Sequence, residues 1–173
     1  MKKITDGTAG TIIYIIIGIL LAFGINQGLA LALSTSMPVV AVESNSMVPT
    51  FSKGDILIIQ GAPSPGDYED FLEIGDVIVF TPPERPIPIV HRLIEKNPDG
   101  TFQTRGDANH GQQLPFEKSI SPGEVEGKMI MIIPYVGWIK IGITEYLFPN
   151  PWIIIVLMVT ISFIYYLAKN IRV

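Results

Sequence analysis

The sequence predicts a mostly β domain of short strands, held between an N-terminal and a C-terminal transmembrane helix. Three observations predict it. Of 173 residues 48% are hydrophobic and mean hydropathy is +0.42, too apolar for a chain that lies wholly in water. Two long apolar runs stand near the two ends. Between them, short Val- and Ile-rich runs alternate with Pro, Gly, Asn and Asp, the pattern of short strands joined by turns. The divisions fall at 1–34 for a tail and first span, 35–148 for the β domain with its membrane-proximal end, and 149–173 for a second span and tail.

The elements follow in chain order. Lys2 and Lys3 precede a stretch without charge from Gly7 to Val42. Within it Ile12–Leu33 is apolar except for Asn26 and Gln27, which suffices for the roughly 20 residues of a span. A cleaved secretory signal ending near Ala30-Leu31-Ala32 is the alternative, but the run exceeds the ~7–15 residues of a signal's apolar core. Met37–Val42 reads as a short strand. Ser52-Lys53-Gly54-Asp55 makes a turn into the strand Ile56–Ile59. Gln60–Gly75, with Pro63, Pro65, Gly61 and Gly66, reads as a loop whose Asp67, Glu69, Asp70 and Glu73 form a solvated surface. Gly75-Asp76 opens the strand Val77–Phe80.

Pro82, Pro83, Pro86 and Pro88 keep the next stretch extended or at an edge. Ile89–Glu95 is a strand that holds His91. Asn97-Pro98-Asp99-Gly100 is a turn, and Thr101–Thr104 returns beside it, so Asp107 arrives near the strand of His91. Opposed residues of such a pair lie about 5.5 Å apart between Cα atoms, but the register is not readable from the sequence. Leu114–Glu124 is a polar, Pro-containing loop and Glu126–Ile133 a further strand. Trp138, Tyr146, Phe148 and Trp152 gather before the second apolar run, as at a membrane interface; a buried core edge is the competing reading. Trp152–Ala168 is the second span, about 25 Å long as a helix. Lys169 and Arg172 follow it. Basic residues outside both spans place both termini in the cytoplasm and the β domain on the exoplasmic side.

Composition also excludes. A net charge of −4 without a basic block argues against a nucleic-acid partner. No cysteine means no disulfide, no thiolate chemistry and no cysteine-based zinc site. Two histidines exclude a histidine-rich metal centre, and no cofactor is expected. Side chains able to act as nucleophile, base and acid are all present. A serine hydroxyl attacks only when a base takes its proton. A neutral imidazole does so near pH 7, and a carboxylate orients the imidazole. Ser46, His91 and Asp107 offer those three roles in order. His110, the other histidine, sits in a loop and reads as surface, with the role of base as its alternative. Each has a structural alternative: a bend at Ser46, a satisfied core histidine at His91, an Asx-turn at Asp107.

The motifs SNSMVPTF, GDILII, GDVIVF, IPIVHRL and RGDAN, in that order between about Val39 and Gly137, resemble signal peptidase I. The resemblance is to the archaeal and endoplasmic-reticulum type, in which histidine stands where bacterial enzymes have lysine. It implies a serine endopeptidase that removes signal peptides from secretory preproteins through an acyl-enzyme, preferring small residues at the first and third positions before the cut. It implies a coiled antiparallel β domain between two membrane helices, in an archaeal cell membrane or an endoplasmic-reticulum membrane. Other membrane subunits or the translocon are the implied partners besides preproteins and the lipid bilayer. Ser44, two residues before Ser46, takes the place of a hydroxyl donor to the oxyanion, with the Ser46 amide as the other donor.

One departure bears on the site. Many relatives of this type carry a second aspartate several residues after the Gly-Asp pair. This chain reads GDANHGQQLPF, with Gln113 near that position and no aspartate after Asp107. Asp107, Gln113 and Glu117 are therefore the candidates for the third residue, and Asp107 is the expected one. Two other functions compete. Self-cleaving repressor-type hydrolases use a lysine base and lack membrane spans. A non-catalytic anchored β domain, such as an assembly or adhesion subunit, would need neither Ser46 nor His91.

Overall fold

The protein is described by a computed structural model covering residues 8–63 and 68–170. Lys2, Lys3 and Arg172, and Pro65, Gly66 and Asp67 of the acidic loop, lie outside the described residues. Helix α1 (Thr8–Ala32) comes first. Six strands follow: β1 (Val39–Ala41), β2 (Ile56–Gly61), β3 (Val77–Phe80), β4 (Ile89–Lys96), β5 (Phe102–Arg105) and β6 (Val125–Ile133). They form one sheet in the order β1-β2-β6-β3-β4-β5, every neighbouring pair antiparallel. The mostly β domain between two apolar helices is the predicted architecture.

β3 explains where the core sits. All four of its residues are buried, and successive side chains of a strand point to opposite faces. Val77 and Val79 accordingly pack with Val42, Met47, Phe51, Leu57 and Ile59 on one face. Ile78 and Phe80 pack with Leu93, Phe102, Ile120 and Val125 on the other. Each fully buried aliphatic or aromatic side chain here contributes about 1.5–3 kcal/mol of transfer free energy. Cutting Phe80 to alanine would cost about 3–5 kcal/mol, because a cavity is left as well.

The acidic loop is more structured than its composition predicts. It carries a short helix, α2 (Tyr68–Phe71), and Tyr68 and Leu72 are buried in the second core. Residues four apart share one helix face, so this pair closes that core. Strand ends also differ by a residue or two: β1 is shorter than expected, and β2 runs on through Gln60 and Gly61.

After β6 the chain turns through Pro134 into α3 (Trp138–Ile141) and a π-helical stretch, Gly142–Leu147. It then enters α4 (Pro151–Asn170). Trp138, Tyr146, Phe148 and Trp152 are all exposed, so the buried-edge reading of these aromatics is corrected. The spans Gly10–Ala32 and Pro151–Asn170 are exposed along their apolar lengths. At 1.5 Å per residue they reach about 35 and 30 Å, enough by length and composition for a bilayer.

Candidate active site

His91 is placed by strand register. It stands opposite Ile78 of β3, so its ring points to the face that also holds Leu93, and it is 5% exposed. On its other side β5 pairs Arg92 with Arg105 and Leu93 with Thr104. Continued by one residue, that register sets Gly106 across from His91. The parity decides what the imidazole meets. Thr104 and Gly106 share its face, whereas Arg105 and Asp107 share the face of Arg92.

Asp107 is therefore not the partner of His91, which corrects the expectation from the sequence. Its carboxylate accepts two bonds from the Arg92 guanidinium, Nε to Oδ1 at 2.8 Å and Nη2 to Oδ2 at 2.6 Å, and one from the Thr50 hydroxyl at 2.5 Å. Thr50 in turn accepts from Arg92 Nη2 at 2.9 Å. The hydrogen bonds from Arg92 hold the Asp107 carboxyl below the usual carboxylate range, and Thr50 adds to this. The same pairing raises the Arg92 guanidinium above its ordinary value.

Glu117 occupies the place beside the imidazole. Its Oε1 is hydrogen-bonded to His91 Nδ1, and Thr104 Oγ1 donates to the same oxygen at 3.5 Å. Its Oε2 accepts the Leu114 amide at 2.7 Å. The side chain is fully buried. Its tether is a turn opened by Pro115, where the missing N–H costs nothing; Glu117 reaches back to the amide at the start of the turn, as in a capping box. Ile120, also fully buried, fastens the loop to β5 through two backbone bonds with Phe102, at 2.8 and 2.9 Å. A Pro with an acid two residues on, followed by a lone apolar Ile, was the available signal in an otherwise polar loop.

Ser46 sits in the loop between β1 and β2, anchored by buried Met47 and Phe51. Its Oγ lies 2.9 Å from His91 Nε2, and its carbonyl accepts the Ala108 amide at 2.9 Å. Among the described residues no acceptor is bonded to the Ser46 amide. Ser44 Oγ is 3.2 Å from Ser46 Oγ. Gly106 is required by close approach: a Cβ there would come 2.7 Å from the Ser46 carbonyl and 3.0 Å from His91 Nε2.

The remaining candidates lie apart from the imidazole. Gln113 donates its amide to the Thr104 carbonyl at 3.0 Å and to Gln103 Oε1 at 3.3 Å. His110 is exposed. A groove of about 1100 Å³ runs past Ser46 and His91, walled by Val39, Ala41, Ile87 and Val90.

A hydroxyl, an imidazole and a buried carboxylate joined in one hydrogen-bonded line, at the wall of a groove, form the arrangement of a serine hydrolase. Over most of its length the chain is similar to curated proteins. The signal peptidase complex catalytic subunit SEC11 of Lachancea thermotolerans is 34% identical over 139 residues, covering 72% of this chain and 76% of its own. Its Saccharomyces cerevisiae counterpart is 35% identical over 128 residues, 69% of this chain and 73% of that one. The Schizosaccharomyces pombe protein is 35% identical over 129 residues, 63% and 68% of the two chains. No protein-family model matches the chain. The chain belongs to the family of signal peptidase complex catalytic subunits, the endoplasmic-reticulum type of signal peptidase I, which are serine endopeptidases.

Proposed function

We propose that this chain is a membrane-anchored serine endopeptidase that removes signal peptides from secretory preproteins, with Ser46 as nucleophile, His91 as general base and Glu117 as the orienting acid. The observation that carries the site assignment is the unbroken line from Ser46 Oγ through His91 to Glu117. A carboxylate accepts and does not donate, so Glu117 keeps the proton on Nδ1 and leaves the Nε2 lone pair facing the serine. As Ser46 attacks the scissile carbonyl, its proton passes to Nε2, and Glu117 stabilises the imidazolium that forms. The imidazolium gives the proton to the leaving amine, which departs as the mature chain. Water then enters along the same path and frees the signal peptide from Ser46. The Ser46 amide and the Ser44 hydroxyl are the donors to the oxyanion.

The substrate lies extended along the free edge of β1. Pro38 and Val42 bond inward to β2, through Ile59 N to Pro38 O at 3.1 Å and Val42 N to Asp55 O at 2.9 Å. Alternation then turns the main-chain groups of Val39 and Ala41 outward, where a peptide adds as a strand. The walls of Val39, Ala41 and Val90 suit small side chains at the positions before the cut. Both apolar helices anchor the chain, with the β domain on the exoplasmic side, and a preprotein held in the same bilayer meets the groove at raised local concentration. The likeness to subunits of a signal peptidase complex favours an endoplasmic-reticulum-type membrane and companion membrane subunits.

A membrane-impermeant serine-acylating probe tests the nucleophile and the sidedness together. Added to the exoplasmic face of sealed vesicles, it labels the wild type at Ser46 and leaves Ser46→Ala unlabelled and inactive. Labelling only from the cytoplasmic face overturns the orientation. Preprotein cleavage by Ser46→Ala within tenfold of wild type overturns the nucleophile, since losing a triad member usually costs several orders of magnitude.

A further inference from the structure

The loop that carries Ser46 is held on two sides. One side is the cluster of Arg92, Asp107 and Thr50 with the Ala108 amide. The other is the segment leading into the second span, and the ties there involve residues that the chemistry does not use. The loop closes at its base through Val42 N to Asp55 O and Gly54 N to Val42 O, both 2.9 Å. Asp55 is buried, and its two carboxylate oxygens serve two different elements. Oδ2 accepts the Ser52 amide of the loop at 2.8 Å. Oδ1 accepts the Tyr135 amide of the pre-span segment at 3.0 Å.

The same segment grips both stems of the loop. Lys53 Nζ pairs with Glu145 at 3.0 Å and lies 5.9 Å from the centre of the Trp138 ring. Lys140 pairs with Glu43 at 3.0 Å. Gly54, at φ +95°, backs directly onto Trp138, where a Cβ would stand 2.0 Å from the indole nitrogen. Ile141 of this segment is fully buried. From Asp55 the hold passes inward by Ser52, and the neighbouring Lys53 amide donates to Asn45 Oδ1 at 2.9 Å, next to Ser46.

We propose that Asp55 is a positioning residue for the nucleophile: it locks the Ser46 loop against the pre-span segment, so that the seating of residues 135–147 sets the approach of Ser46 Oγ to His91. The proposal rests on Ser46 being the nucleophile. A carboxylate suits the task because two backbone N–H groups converge on it from different elements. An asparagine offers one acceptor and turns its own N–H toward the second donor. Exposed ion pairs contribute little alone, so the buried acid is the keystone, and the Lys53 and Lys140 pairs trim the seating around it.

The test uses the full-length chain in lipid-detergent micelles, a model preprotein, and temperatures well below melting. Asp55→Asn is expected to lower kcat about 10–100-fold, the effect of misplacing a reacting group by about 1 Å, while KM stays within about threefold because Asp55 itself does not line the groove. The exposed double variant Glu43→Gln/Glu145→Gln is expected to lower kcat several-fold at low salt. Its difference from wild type shrinks at about 1 M salt, where surface pairs are screened. A folded Asp55→Asn with kcat within twofold of wild type overturns the proposal, as does a raised KM with unchanged kcat. Should Asp55→Asn fail to fold, the double variant decides: unchanged kcat at low salt overturns the proposal. Ser46→Ala run in parallel separates the two assignments, because its retention of activity would refute the nucleophile whatever Asp55 does.

Discussion

Replacing Glu117 by glutamine is the most informative perturbation of the site, because it preserves shape while changing charge and donor pattern. The side chain is fully buried between His91 Nδ1 and the Leu114 amide, so a glutamine has two orientations. In one, its oxygen stays on the Leu114 amide and its NH2 faces Nδ1. That forces the proton onto Nε2, aimed at Ser46, and the imidazole can no longer act as base. In the other, the oxygen faces Nδ1 and the NH2 meets the Leu114 N–H, leaving buried donors unsatisfied at a cost of about 1–3 kcal/mol. Either way the imidazolium loses its counter-charge. A unit pair about 4 Å apart is worth roughly 4 kcal/mol at an effective dielectric of 20. The lost counter-charge alone is roughly 10³ in kcat, and the wrong tautomer of the first orientation takes the loss toward the roughly 10⁴ seen when a serine triad loses its orienting acid; the unsatisfied donors of the second orientation lower stability instead. The assay is single-turnover cleavage of a model preprotein, with folding followed by thermal melting. A kcat for Glu117→Gln within tenfold of wild type refutes the assignment, as does a greater loss for Asp107→Asn than for Glu117→Gln.

Two further outcomes follow from the same geometry. Gly106→Ala should cut activity at least 100-fold, since its Cβ would displace either the Ser46 carbonyl or the His91 ring, and overpacking of this kind also costs about 1–3 kcal/mol of stability; wild-type kinetics in this variant would mean the two groups are not held as described. For Asp107 the prediction concerns pH. Its folded-state pKa is depressed, chiefly by the Arg92 hydrogen bonds, so its stabilisation is present above the unfolded value of about 3.9 and is lost as pH falls through the lower folded value. Melting temperatures between pH 7 and 3 should show an acid-side decline in the wild type that is weaker in Asp107→Asn, and equal declines would refute the clamp.

The elements with strong local patterns were legible in the sequence. Two uncharged apolar runs, turn residues at Gly54, Gly75 and Asn97–Gly100, and Val/Ile runs between them define most of the fold before any packing is considered. Ser46 and His91 stand out in the sequence because few residues could compete, and the fold brings them within hydrogen-bond distance. Asp107 misses the imidazole by one residue of register and bonds Arg92 instead. Strand side chains alternate, so the residue across from His91 is Gly106, and Asp107 falls to the face of Arg92. Nothing local in RGDAN fixes that parity; it is set by pairing with β4. Glu117 was harder still. Its turn looks like solvent-exposed loop, and only the long-range pairing of Ile120 with Phe102 brings it inside. The spacing of Tyr68 and Leu72 is masked by the surrounding acids, so their burial is not readable from the local pattern.

Position 113 turns this difference into a test. The resemblance places an aspartate near here in many relatives, and from sequence alone Gln113→Asp looks like a restoration that raises activity. The structure argues the opposite. The Gln113 amide nitrogen donates to two acceptors, the Thr104 carbonyl and Gln103 Oε1. An aspartate would bring a third acceptor to the same place, and it is one methylene too short to keep the contact. Leaving these groups unpaired costs about 1–3 kcal/mol, and the strain falls on Thr104, whose hydroxyl supports Glu117. Gln113→Asp should therefore melt earlier than wild type and show no gain in kcat. The decisive arm is the double variant Gln113→Asp/Glu117→Gln. If a carboxylate at 113 could orient His91, the double variant would recover much of the activity lost in Glu117→Gln. The side chain at 113 faces the β5 backbone rather than the imidazole, so no recovery is expected. Recovery of more than tenfold would show that the orienting acid can act from either position, and that Glu117 is one solution rather than the one this loop enforces.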